Sequence, residues 1–521
     1  MSSIVTVLHD ARIPGRPEPV DVLVLDDGTV EVGPSRSWPE PGAAGSPIVV
    51  DVEGRWVVPG LWDEHVHMLQ WSLARARVDL SATRSAAEAV QVVADHLAVL
   101  PDTETAPRVV GDVVVGFGFR DAMWPDLPTR AALDAVAGDV AVVLVGGDCH
   151  CGWVSSAAAQ VLGAEVDASG ILREEEWFEV SRRLDRQAES ELDGLVVVAG
   201  TFAAARGVVG IVDLEMADNV RAWQRRVAAG ATSLQVEVGV YADRLEEWIA
   251  AGRRSGDVVP DTGDLVRIGP LKVMSDGSLN TRTAFCCAPY AAGPDGEADA
   301  AGAEAADLAA PATEAHEDRG ALDVEPEELR DLLLRATGAG IETTVHAIGD
   351  AAVGLVLDTY AELGIGGRME HAQLVARQDL PRFAELGVVA SVQPEHAMDD
   401  RDVVDRYWAG TSAIPYPLAS LVEAGATVRL GSDAPVATLD PWAAMAAAVH
   451  RARDGREAWR PEERIDVRTA LAAHARGRDE VRTGDVADLV VVDRDPFGPD
   501  EPLRDMPVWA TMVGGRWTFR A

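Results

Sequence analysis

The sequence predicts an α/β protein: a TIM-type (β/α)8 barrel with a small β-sandwich domain built from both termini and an inserted subdomain after barrel strand 1. Three observations predict it. Eight apolar, strand-like segments alternate with Ala/Leu/Arg-rich helical stretches, the pattern of βα units in a parallel sheet. Short alternating strands occupy both chain ends. Histidine and aspartate side chains recur at the C-terminal ends of four of the eight segments, the rim where such a barrel gathers its chemistry.

Taken in order, residues 1–55 read as strands joined by turns, in "VTVLHDARI", "VDVLVLDDGTV" and "SPIVVDVEG". The matching strands of residues 475–521 are "ADLVVVDRD", "PVWATMVGG" and "RWTF", and the two groups make one composite β-domain. Residues 56–474 form the barrel. Its strands are expected at 56–67, 207–215, 232–241, 266–274, 341–347, 368–373, 388–394 and 427–433. Residues 70–190 are far too many for one crossover helix and predict the inserted subdomain. Residues 291–318 are Ala-, Gly- and acid-rich; lacking large apolar groups to offset ordering entropy, they predict a flexible acidic surface loop.

Composition narrows the class. Apolar residues at 47% and charged residues at 25% describe a folded globular chain. A formal net charge of −39 argues against nucleic acid and anionic membranes as partners, leaving a small-molecule substrate and a possible homo-oligomer. No apolar run reaches the roughly 18 residues of a membrane span, and no cationic leader opens the chain. The four cysteines, Cys149, Cys151, Cys286 and Cys287, form close pairs that staple poorly, so a reducing cytoplasm is expected.

In "GLWDEHVHM", His65 and His67 share one face of a strand, because strand side chains alternate with period two. Two such histidines alone are often structural. His346 in "TTVHAIGD", His371 in "RMEHAQ" and Asp433 in "LGSDAPV" join them at later strand ends, and a packed barrel has no reason to collect five metal-binding groups at one rim. Lys272, in "GPLKVMSDGSLN", ends the fourth strand and is the chain's one lysine among 46 basic residues. Beside divalent cations an ammonium is disfavoured, whereas a neutral amine reacts with carbon dioxide to a carbamate whose two oxygens bridge two metals. Arginine stays protonated and cannot replace it.

With these residues in place, the chain resembles the amidohydrolase superfamily, and within it amidohydrolase family 3, the branch that includes N-substituted formamide deformylases. "PGLWDEHVH", "WPDLPTRAALD", "HCGWVSSAA", "KVMSDGSLNTRTA", "VHAIGDAA", "LGSDAPV" and "ADLVVVDRDP" carry the resemblance over nearly the whole chain. Departures are Ala351 in place of the branch's usual arginine, "GSLNTRTA" for "GSLGSRTA", a shortened "VRTGDVADLVVV", and the longer loop at 291–318.

The resemblance implies a metal-dependent hydrolase that cleaves a non-peptide carbon–nitrogen bond of the N-formyl or N-acyl amine type through a metal-bridging hydroxide. His65, His67 and Asp433 would hold one divalent ion, His346 and His371 a second, and carboxylated Lys272 both. Zinc suits these donors, as do manganese, iron and cobalt. Asp433 would carry the catalytic proton to the leaving nitrogen. His150 in "GGDCHCGW" becomes a substrate-binding residue rather than part of a Cys–His–Cys metal site. Arg282 binds a substrate carboxylate or carbonyl, or else braces its loop. His396, after the seventh strand, faces the mouth or serves its loop. Asp63 orients an imidazole or acts as a cap, and Trp124 and Trp153 line an apolar pocket or pack the subdomain. The rival chemistry is a mononuclear deaminase, which needs a glutamate where this chain has Asp350; a catalytically silent protein on the same fold is the other alternative.

Overall fold

The computed structural model describes residues 3–36, 47–75, 77–99, 113–184, 189–291, 318–498 and 503–521. Its centre is a parallel eight-stranded sheet: β1 (Leu61–Val66), β2 (Val208–Asp213), β3 (Gln235–Tyr241), β4 (Val266–Met274), β5 (Thr343–Ala347), β6 (Gly367–His371), β7 (Val388–Val392) and β8 (Val428–Leu430). The strands neighbour one another in chain order, the arrangement of successive βα units in a barrel. Nearly every residue in them is buried, because helices cover the outside and side chains fill the inside; this is why they read as continuous apolar runs.

The seam between β8 and β1 is closed just beyond β8. Asp433 N donates to His65 O at 2.8 Å, His67 N donates to Ala434 O at 2.8 Å, and Val66 pairs with Ala434. Asp63 Oδ1 accepts both Ser432 N at 2.9 Å and His65 N at 3.2 Å. The first and last strands are thereby locked together at the C-terminal rim.

The expected first strand, 56–67, divides at Gly60. Trp56–Pro59 pairs antiparallel with Leu489–Val492 in a four-stranded sheet completed by Val508–Val513 and Arg516–Arg520. A second four-stranded sheet comes from Ile4–Ala11, Val20–Leu25, Val30–Pro34 and Ile48–Asp51. Alternation explains the apolar run "LVVV": Leu489, Val491 and Val57 face the core between these two sheets, while Val490, Val492 and Val58 face the barrel core. A Cβ at Gly60 would lie 2.5 Å from Val209 Cγ1, so only glycine lets the chain pass from one sheet to the other here.

Between β1 and β2 lies a five-stranded mixed sheet (Val78–Asp79, Val113–Phe119, Ala141–Gly146, Cys151–Val154, Ile171–Arg173) with its own cores, in which Trp153 is fully buried. It docks on the barrel mouth through Asn280 Nδ2 to Asp148 Oδ2 at 2.7 Å and Arg120 to Asp399 at 3.1 Å. The expected acidic loop at 291–318 falls almost wholly outside the described residues. Among those described, no helix is long and apolar enough to cross a membrane.

Candidate metal centre

Strand alternation and the β1–β8 seam bring three side chains from three strand ends to one point. One nitrogen or oxygen each of His65, His371 and Asp433 lies within 4.8 Å of the others, all buried. The end of β1 supplies His65, the last residue of β6 is His371, and Asp433 follows β8. His371 and Asp433 have φ of 73° and 57°. Left-handed backbone in non-glycine residues costs on the order of 1–3 kcal/mol and persists where the surroundings enforce it, characteristically at functional sites.

The remaining candidates surround this point. His67 Nε2 and His65 Nε2 lie 3.3 and 3.4 Å from the same Asp433 oxygen. Donors bound tetrahedrally at about 2.0–2.1 Å to one ion sit about 3.3 Å apart. The His346 ring centroid is 4.4 Å from that of His371. His396 stacks 6.2 Å from His371, and its Nε2 is 4.0 Å from Asp433 Oδ2.

Lys272 is fully buried on β4, opposite Tyr241 on one side and Thr344 on the other. Among the described residues its amine makes no hydrogen bond and no ion pair within 4 Å. Burial lowers its pKa below the ordinary 10.5, against the opposing pull of Glu370 and Asp433. An amine held this way loses its proton more easily than any surface lysine.

Three of the imidazoles are tuned in the same direction. Burial pushes His346 down to about 3 and His371 well below its usual range; His65 is also lowered. Burial opposes the charged form of His67 too, but Asp433 lifts it above the ordinary value. Burial works to raise Asp433, yet His65, His67 and His371 outweigh it and hold the carboxylate ionised. His67 Nδ1, His346 Nδ1 and His396 Nε2 are buried without hydrogen-bond partners among the described residues. Buried imidazole nitrogens without partners around an ionised carboxylate fit a divalent cation, which would repay the cost of leaving them unpaired.

Outer contacts fix the rings. His65 Nδ1 donates to Glu370 Oε2 at 2.8 Å, which leaves Nε2 as the free electron pair facing Asp433. Thr344 Oγ1 donates to the other Glu370 oxygen at 2.6 Å, and His371 Nδ1 is 2.9 Å from Gln393 Oε1. Burial works to raise Glu370, but His65 and Lys272 bring it down to about 2. Asp276 accepts from Phe285 N, Ile348 N and Gly349 N and approaches His346 Nε2 at 3.5 Å. The sequence reading assigned no role to Glu370, Gln393 or Asp276. For Glu370 the available signal was a carboxylate beside His371 at the buried end of its strand.

Asp63 acts on backbone amides at the seam rather than on an imidazole. His150 lies in the inserted sheet, bonded to Glu174 at 2.9 Å and edge-on to Phe178; Asp433 reaches it only through space. Arg282 sits over the Tyr407 ring at 5.3 Å, a cation–π contact in place of the loop-bracing salt bridge. Asn280, one of the departures from the family-like motif, is the residue that ties this loop to Asp148 of the inserted sheet. Asp350, the deaminase counterpart, is occupied as an acceptor for Cys287 N at 2.8 Å.

Known proteins share this architecture. The chain is 28% identical to Protein LONG AFTER FAR-RED 3 of Arabidopsis thaliana, over 90% of this chain and 83% of that protein. It is 26% identical to the N-substituted formamide deformylase of Arthrobacter pascens, over 95% and 94%. An uncharacterized metal-dependent hydrolase of Pyrococcus horikoshii OT3 superposes with a TM-score of 0.74 at 22% identity, covering 96% of this chain and 99% of that one, which establishes the common fold. The model of the Amidohydrolase family matches residues 48–519, and the protein belongs to that family.

Proposed function

We propose that the protein is a metal-dependent hydrolase of a non-peptide carbon–nitrogen bond, acting on an N-formyl or other N-acyl amine. The observation that carries this reading is the buried set of His65, His371 and Asp433, with His67, His346 and a partnerless Lys272 around it. Its similarity to an N-substituted formamide deformylase supports the bond type.

In this reading His65, His67 and Asp433 hold one divalent ion, zinc by donor chemistry, and His346 and His371 hold the second. Lys272, its nitrogen carboxylated by carbon dioxide with loss of a proton, would supply carbamate oxygens as further ligands. Bound ions would lower the pKa of water and polarise the scissile carbonyl. Asp433, kept ionised by its histidines, takes the proton released on attack and delivers it to the departing nitrogen, which is a poor leaving group without one. His396, beside Asp433, contacts the acyl side, while His150 and Arg282 bind the rest of the substrate.

The test is a hydrolysis screen over N-formyl, N-acetyl and longer N-acyl amines, with metal counted on the same samples. Release of free amine from at least one series is expected; metal-replete protein inert on all of them would refute the reading. A single-metal centre is the second reading, favoured by the compactness of the three-residue set. It predicts one ion per chain and no effect of added bicarbonate on metal content.

A further inference from the structure

The opposite end of the barrel holds a cavity of about 600 Å3 that the reaction does not use. It opens among the N-terminal ends of β5, β6, β7 and β8, where Thr343, Gly367, Val389 and Arg429 line it. The metal-binding candidates sit at the C-terminal ends of the same sheet. We propose that this cavity binds a small organic anion, a carboxylate or a phosphate ester, with Arg429 as its charged anchor.

Its lining has three guanidiniums, Arg368, Arg429 and Arg476, against two carboxylates, Glu64 and Glu342. Glu237, bonded behind the lining, brings the carboxylates to three. Two of the guanidiniums are spoken for. Arg368 bonds Glu64 at 2.8 Å and Glu237 at 3.4 Å; Arg476 bonds the same carboxylates at 2.7 and 2.5 Å and lies over the Trp62 ring at 3.4 Å. Such a girdle of ion pairs is what a barrel floor needs for stability.

Arg429 does not belong to it. Among the described residues, its half-buried guanidinium makes no hydrogen bond and no ion pair within 4 Å. Glu342, mostly exposed, approaches only Arg368, at 3.7 Å. A partly buried cation beside two others, in a cavity large enough for a small metabolite, is stabilised by an anion that spans its planar donor fork. This site is independent of the proposed hydrolysis and would stand if that reading failed.

The experiment is calorimetric titration of the full-length protein with inorganic phosphate and, separately, with succinate, at constant ionic strength set with chloride. Saturable binding of one probe is expected, at least tenfold weaker in Arg429→Gln. Tighter phosphate binding assigns a phosphoryl ligand, and tighter succinate binding a carboxylate. Unliganded Arg429→Gln should melt no lower than the parent, because the guanidinium has no partner to lose. No saturable binding of either probe, equal binding by the variant, or a large drop in the variant's melting temperature would each overturn the proposal.

Discussion

Glu370 shows how much of the centre depends on residues that never touch a metal. Its carboxylate accepts a hydrogen bond from His65 Nδ1 and is itself held by Thr344. Glu370→Gln keeps the shape but weakens the acceptor, and it should reduce metal affinity about 10–100-fold while leaving the fold intact, as read by competition with a chelator. Unchanged affinity would mean that His65 is oriented by packing alone. His150 gives a second prediction. Burial opposes its charged form, but Glu174 and Asp148 raise it to about 9 from an ordinary 6.5. Since the folded value is the higher one, its stabilisation is complete below pH 6.5 and disappears as pH rises through about 9. The melting temperature should fall across that window more steeply in the parent than in Glu174→Gln. Identical slopes would contradict it. The six candidate metal-binding residues were legible in sequence because each sits at or near a strand end. Glu370, Gln393 and Asp276 were not, because Glu370 meets His65 across 305 residues, Gln393 meets His371 across 22 and Asp276 meets Ile348 across 72, contacts that exist only in the folded sheet.

At the scale of elements, the β1–β8 seam does the positioning, and Gly431 makes it possible. A Cβ there would lie 2.8 Å from His65 N and 3.0 Å from Asp63 Oδ1, against backbone that cannot yield. Gly431→Ala should therefore cost about 1–3 kcal/mol in urea unfolding and lower metal content as well, since it parts His65 from Asp433. A stable, fully metallated variant would show that the seam tolerates separation. The eight barrel strands were readable to within a few residues from their apolar runs. The division at Gly60 was not, because "WVVPGLW" runs apolar across it and nothing in periodicity reveals that Val57 and Val58 serve different cores.

For the molecule as a whole, the composite β-domain is continuous with the barrel. The sheet containing Trp56–Pro59 and Leu489–Val492 buries one face against each core, so the last two strands cannot be removed without exposing Val57, Leu489 and Val491. Deleting residues 508–521 should abolish a cooperative thermal transition, as followed by circular dichroism; a folded, soluble product would show that the barrel stands alone. The inserted sheet was expected from length, but its placement over the mouth through Asn280 and Arg120 depends on tertiary contacts that no local pattern encodes. The central claim rests on one amine in a chain that otherwise uses arginine for every basic position. Metal analysis of the parent and of Lys272→Arg, purified side by side with bicarbonate present and assayed on the same N-acyl amine, tests it most directly. Two metals per chain in the parent, with metal content and hydrolysis both severely reduced in Lys272→Arg, is the predicted result; two metals and full activity in Lys272→Arg would contradict it.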